Sequence, residues 1–287
     1  MNDLILQCEN EIINYKPPDI MIDSYGNNLM AYVSYVFTGD TDVPPAIVLA
    51  QTLINSGSRA DRIVLITSDV SDESRNLLSM FYNKVVDVSY INISNIPLDK
   101  IEFKYIQNIF AKYYALTLVR YRKILLVHPH SVILKFPDYV FTLQPPLTIT
   151  VDKETPIASS WYEKYCNNKN NNKSNKRNRN ITDYYIFDGT INTNYLLLEP
   201  SMKHYNRIIE SLIYNLNNGI INFPDTVILT SVYTNWHTIN PRFMAYSGLP
   251  HWKMLYGTYI DINNVITTKD YLNNDAYILW LCTSTCQ

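Results

Sequence analysis

From Met30 to Val127 the chain alternates short, β-branched apolar runs with longer amphipathic ones, and this alternation constrains its fold more than any other feature. MAYVSYVF (30–37), RIVLITS (62–68), KVVDVSYI (84–91) and KILLV (123–127) have the length and the Val, Ile and Tyr content of buried strands. Between them, AIVLAQTLINSG (46–57) reads as a helix closed by Gly57. Ser71, followed by Asp72 and Glu73, supplies a cap and first-turn acids for a second helix. YIQNIFAKYYALTLVRY (105–121) puts Ile106, Ile109, Phe110, Tyr113 and Leu116 on one stripe, which predicts a third helix. Such alternation predicts an α/β fold with a mostly parallel central sheet and helices on both faces. In sheets of this kind ligands sit beyond the carboxyl ends of the strands. Attention therefore falls on the loops after Phe37, Ser68 and Val127, the last of which reads His128-Pro129-His130.

The second half is less regular. LTITVD (147–152) and NTNYLLLEP (192–200) read as strands, and Met202, Tyr205, Ile209, Leu212 and Leu216 mark an amphipathic helix. FPDTVILTSVYTNW (223–236) reads as a helix starting near Pro224-Asp225. Residues 167–180, NNKNNNKSNKRNRN, have no apolar side chain to bury, so they form an inserted loop, either solvated or in contact with a polyanion. Residues 1–29 show no period and read as an extension ahead of a single domain over 30–287.

Composition removes several function classes. Lys and Arg total 24 against 26 Asp and Glu, so binding of nucleic acid by bulk charge is not expected. With only 7 glycines and no GxGxxG or GxxxxGK[ST], neither a dinucleotide oxidoreductase nor a P-loop ATPase fits. Cys8, Cys166, Cys282 and Cys286 form no CxxC pair and read as reduced thiols. The first residues lack a basic segment leading into an apolar run, and no apolar stretch is long enough to span a membrane. A cytoplasmic protein is the expectation.

The order of segments resembles glycosyltransferase family 8, the group of glycogenin and galactinol synthase, and within it a branch encoded by large DNA viruses. The resemblance runs over roughly residues 30–240. It is carried by the opening segment 30–78, by FAKYYALTLVRYRKILLVHPHSVIL, by INTNYLLLEPSMKHYNRII, which is similar to the family's FNSGV-x-x-x-x-PS stretch, and by FPDTVILTSVYTNW. It implies a Rossmann-like, nucleotide-sugar-binding fold of the glycosyltransferase A type. It also implies retaining transfer of a sugar from a UDP-sugar to a glycan or protein acceptor, and it admits a homodimer.

The leaving diphosphate accumulates negative charge, so something positive must be preorganised beside it. In the family that is a divalent cation, usually manganese, held by DxD and a distant histidine. Here His128-Pro129-His130 stands at the DxD position, so both carboxylates are gone. Two imidazoles would suit zinc, copper or nickel better than manganese, and would need a third ligand. His251 and the 263–272 segment are poor matches to the family's distant histidine motif. His128 and His130 are thus candidates either for an altered metal site or for direct contact with the diphosphate. Lys112, which matches the family's helix lysine facing the donor, is the candidate cation if no metal is used.

The remaining candidates also rest on the resemblance. Asp152, Asn192 and Asp225 match residues around the donor sugar, although Thr226 replaces the family's Gln. An aspartate at a strand end or helix start is equally readable as a cap. Tyr35, Phe37 and Thr38 match the wall of the uracil pocket, with core packing as the plain alternative for the two rings. Asp42 replaces the stacking Tyr of the first loop. The loss of several acidic and amide groups together leaves a second function open, namely an inactive glycosyltransferase-fold protein with a glycan-binding or structural role.

Overall fold

The computed structural model describes residues 21–93, 100–133, 138–148, 185–186, 193–218, 224–233, 236–238, 244–246 and 278–280. Four strands fill the first half: β1 (Met30–Val36), β2 (Asp61–Ile66), β3 (Lys84–Asp87) and β4 (Lys123–Val127). They are linked by α1 (Val43–Asn55), α2 (Asp72–Phe81) and α3 (Lys100–Ala111), the last continuing as a 3-10 turn over Lys112–Thr117. Beyond them come β5 (Ser131–Ile133), a 3-10 turn over Asp138–Thr142, β6 (Leu147–Thr148), β7 (Tyr185–Ile186) and β8 (Tyr195–Leu198). The chain goes on through α4 (Met202–Asn217), α5 (Pro224–Val232), β9 (His237–Thr238), β10 (Met244–Tyr246) and β11 (Ile278–Trp280).

Among the described residues the main sheet runs β3-β2-β1-β4-β8-β6-β9-β7. From β3 to β4 every pairing is parallel, with Ala31 opposite Asp61 on one side and Met30 opposite Lys123 on the other. β8 is antiparallel to both β4 and β6, β9 is parallel to β6, and β7 is antiparallel to β9. A small sheet, β10-β11-β5, joins the segment after β4 to the last described strand.

The continuous apolar runs of β1, β2 and β4 follow from burial on both faces. Ala31, Val33, Ile63, Leu65, Ile124 and Leu126 face Phe110, Tyr113, Leu116, Ile208 and Leu212 from the 3-10 turn, α3 and α4. Val36, Val64 and Ile66 face the other way, onto Ala46 and Ala50 of α1 and onto Leu78 and Tyr82. Each fully buried Leu or Ile here contributes about 1.5–3 kcal/mol of transfer free energy.

Several boundaries differ from the sequence reading. α1 begins at Val43, not Ala46, because Pro44 and Pro45 fit the first turn, where helical amides have no intrahelical partner. Gly57, with φ +76°, closes that helix as expected. Ser71 caps α2 by accepting from the Ser74 amide. α3 starts earlier than 105 and leaves α geometry at Ala111, tightening into the 3-10 turn that carries Lys112. β3 is half the predicted length. On α4 the buried ridge is Ile208, Leu212 and Leu216, while Met202 is exposed. Of the predicted stripe, Leu212 and Leu216 are buried and Tyr205 and Ile209 pack against the core, so only Met202 falls off the packed face.

Candidate functional site

β1 and β4 are adjacent and parallel, so their carboxyl ends open side by side. Tyr35, one residue before the end of β1, stacks on Phe37 with ring centroids 5.1 Å apart. The Tyr35 ring also meets the His128 ring edge to face at 5.7 Å. Phe37 is buried, at 4% exposure, and joins the core face that includes Phe110 and Tyr113. Thr38 follows with φ +62° and Gly39 with φ +83°, so the chain leaves the sheet through a left-handed turn. A β-branched residue in that region stores roughly 1–2 kcal/mol of strain. The turn is anchored because the Thr38 amide donates to Tyr90 Oη at 3.2 Å.

The loop after β4 is fixed at several points. The His128 amide donates to the Asn194 carbonyl at 3.0 Å, and Ser131 Oγ donates to the His128 carbonyl at 2.6 Å. The His130 amide donates to His128 Nδ1 at 3.2 Å, and the two rings pack edge to face with centroids 5.2 Å apart. Burial, followed by the neighbouring His130 and the Lys112 charge, pushes His128 down to about 3. His128 is therefore neutral at physiological pH, with its proton on Nε2 because Nδ1 is accepting. On the far side of the loop, His130 Nε2 lies 2.9 Å from Asp42 Oδ1.

Lys112 comes from the 3-10 turn and Asp225 from the first turn of α5, and the two meet at 3.2 Å. Both are buried, at 4% and 9% exposure. Burial pulls the Lys112 ammonium below the usual lysine range, while the Asp225 charge and hydrogen bond oppose that shift. Tyr113, beside Lys112, is pushed well up, chiefly by burial and then by Asp225, Tyr35 and Tyr233. Its hydroxyl is buried and makes no hydrogen bond.

Of the sequence candidates, Tyr35, Phe37, Thr38, His128 and His130 gather at the carboxyl ends of β1 and β4, and the Lys112–Asp225 pair lies near enough for the Lys112 charge to act on His128. Asp152 and Asn192 lie outside the described residues, as do the 167–180 insertion, His251 and the 263–272 segment. Asp42 and Tyr113 were missed as site residues. The signal for Asp42 was its place two residues before Pro44-Pro45, a cap position whose usual amide donors are prolines.

A metal site needs donors with uncommitted lone pairs. His128 Nδ1 is occupied by an amide and His130 Nε2 by a carboxylate, which leaves His130 Nδ1 as the open imidazole lone pair of the two rings. No group of three or more His, Cys, Asp or Glu side chains suited to a metal ion occurs among the described residues. The described donors therefore do not fit a divalent cation as they are arranged. No helix among those residues is long and apolar enough to cross a membrane.

Comparison with solved structures agrees with this fold. The galactosyltransferase LgtC, in complex with donor and acceptor sugar analogues, matches with a TM-score of 0.52 and 13% identity, over 88% of this chain and 87% of that one. The fold is of the glycosyltransferase A type. An active-site mutant of LgtC matches with a TM-score of 0.53 at 13% identity over the same shares of the two chains, 88% and 87%. The glycosyltransferase GlyE of Streptococcus pneumoniae matches at 0.50 and 12%, over 89% of this chain and 55% of that one. In sequence, an uncharacterized protein of Acanthamoeba polyphaga mimivirus is 27% identical over 234 residues, which cover 80% of this chain and 77% of that protein. No protein-family profile matches the chain.

Proposed function

We propose that this chain is a retaining glycosyltransferase of the family 8 type. It binds a UDP-sugar across the carboxyl ends of β1 and β4 and passes the sugar to a glycan or protein acceptor. The observation that carries the reading is the buried Lys112–Asp225 pair beside the loop where an acidic metal clamp would stand. A buried ion pair adds little or nothing to stability compared with apolar side chains of equal volume. Its placement at a ligand-binding edge is what a site retains for chemistry.

Lys112 supplies the positive charge that offsets the leaving diphosphate, and Asp225 opposes the loss of its proton that burial favours. Because Asp225 neutralises part of the charge at rest, the cation is poised and already oriented, so no side chain must reorganise as charge develops. Tyr35, Phe37 and Thr38 wall the base. Asp152, Asn192 and Asp225 are assigned to hydroxyls of the sugar, which they would orient. Because the described donors do not fit a divalent cation, binding and orientation are assigned to this chain's own residues.

The second reading is an inactive relative that binds glycans or serves structurally. It is favoured by the replacement of both loop carboxylates with imidazoles and by a lysine already committed to Asp225. UDP-glucose and UDP-galactose binding and hydrolysis by the purified protein, with manganese and with EDTA, separate the two. Binding and turnover that persist in EDTA support the transferase. Absence of binding at millimolar UDP-sugar supports the inactive protein.

A further inference from the structure

Asp42 holds the N-cap position of α1. An aspartate there ordinarily accepts from the backbone N–H two or three residues further on. Those residues are Pro44 and Pro45, which have no N–H to give. Asp42 accordingly makes no side-chain cap hydrogen bond. Its carboxylate is left uncommitted by the local sequence and instead faces His130 Nε2 at 2.9 Å, with the two side chains only 31% and 17% exposed.

The other nitrogen of that ring, Nδ1, is buried and has no hydrogen-bond partner. The ring cannot readily turn to satisfy it. The His130 amide is tied to His128 Nδ1, the rings pack edge to face, and Ser131 is tied to the His128 carbonyl. A carboxylate facing Nε2 holds a proton on that nitrogen, so in the neutral ring Nδ1 is the acceptor. Buried acceptors are nearly always matched by a donor. A hydroxyl provides one, whereas an ionised phosphate offers only further acceptors.

We infer that Asp42 is a positioning residue, holding His130 so that Nδ1 accepts a hydrogen bond from a hydroxyl of the bound nucleotide sugar. The inference rests on the nucleotide-sugar reading given above. It gives this chain a contact built from a proline-released cap carboxylate and a histidine.

The test combines nitrogen NMR of the His130 ring with calorimetric titration of UDP-glucose and UDP-galactose. The wild-type ring carries its proton on Nε2, and D42A loses that single form. D42A and H130Q each weaken UDP-sugar binding about five- to tenfold, the loss of one hydrogen bond with a buried group left unmatched. H130N, whose amide oxygen falls close to the Nδ1 position, stays within about twofold of wild type, and adding D42A to it changes nothing further. Thermal melting shows that each variant is folded. A proton on Nδ1 in the wild type, full affinity in D42A, or selective broadening of the His130 signals by manganese overturns the inference. If the wild type binds neither UDP-sugar, the nucleotide-sugar reading falls and takes this inference with it. If the wild type binds and D42A binds equally well, only this inference falls.

Discussion

Replacing Lys112 with Met removes the cation and keeps an unbranched side chain of similar length, leaving the Asp225 carboxylate buried without its partner. At 3.2 Å and an effective dielectric constant near 20, the pair attracts with about 5 kcal/mol. Dehydrating the two ions opposes that attraction by several kcal/mol each, so the intact pair is close to neutral overall. Lys112→Met alone is therefore expected to destabilise by about 3–5 kcal/mol, and Asp225→Asn alone by a similar amount. At roughly 2–4 °C per kcal/mol, each single variant melts about 10 °C lower. The double variant recovers most of the loss, giving a coupling of about 3 kcal/mol or more in a double-mutant cycle. UDP-sugar binding follows the other course, being lost in Lys112→Met and equally lost in the double variant. Urea unfolding and calorimetric titration of the four proteins provide both readouts. Coupling near zero refutes the buried pair, and a double variant that binds UDP-sugar normally refutes the assignment of Lys112 to the diphosphate.

Three further outcomes follow from the geometry. The fold accepts His128 as the neutral ring, with its pKa pushed down to about 3, whereas an unfolded histidine titrates near 6.5. Stability conferred by the neutral ring is thus whole above pH 6.5 and falls as pH drops toward 3, by up to about 1.4 kcal/mol per pH unit. His128→Asn, which keeps an acceptor for the His130 amide, should flatten that part of a urea-derived stability profile. Thr38→Gly should raise stability by about 1 kcal/mol by relieving the left-handed backbone, an effect that a lower or unchanged melting temperature would contradict. Leu65→Ala, in the middle of β2 and fully buried, should cost about 2–5 kcal/mol in chemical denaturation, and a loss under 1 kcal/mol would contradict the placement of that core.

The alternating half of the chain was legible because its strands are buried on both faces and its helices on one, so period and length both speak. β1, β2 and β4 fall within one or two residues of where the apolar runs placed them. Boundaries governed by local chemistry were harder to read. Pro44 and Pro45 looked like a loop ahead of α1 yet form its first turn, since proline is penalised only where an amide is needed. The apolar stripe starting at Ile106 hid the beginning of α3, and no periodic signal marks the change to 3-10 geometry at Lys112. In the site, Lys112, His128 and Asp225 could be named by resemblance, but resemblance says nothing about distance. That Lys112 and Asp225 bind each other, and that His130 turns to Asp42, follows from packing between segments 113 and 88 residues apart. Those pairings could not be read from spacing alone.

The central claim is that a protein cation, not a resident metal, offsets the diphosphate at this edge of the sheet. Titrating UDP-glucose and UDP-galactose into the protein in EDTA, against Lys112→Met under the same conditions, tests it most directly. The account predicts binding by the wild type that EDTA does not weaken and that Lys112→Met abolishes. Binding that appears only when manganese is added, or that survives the loss of Lys112, would contradict it.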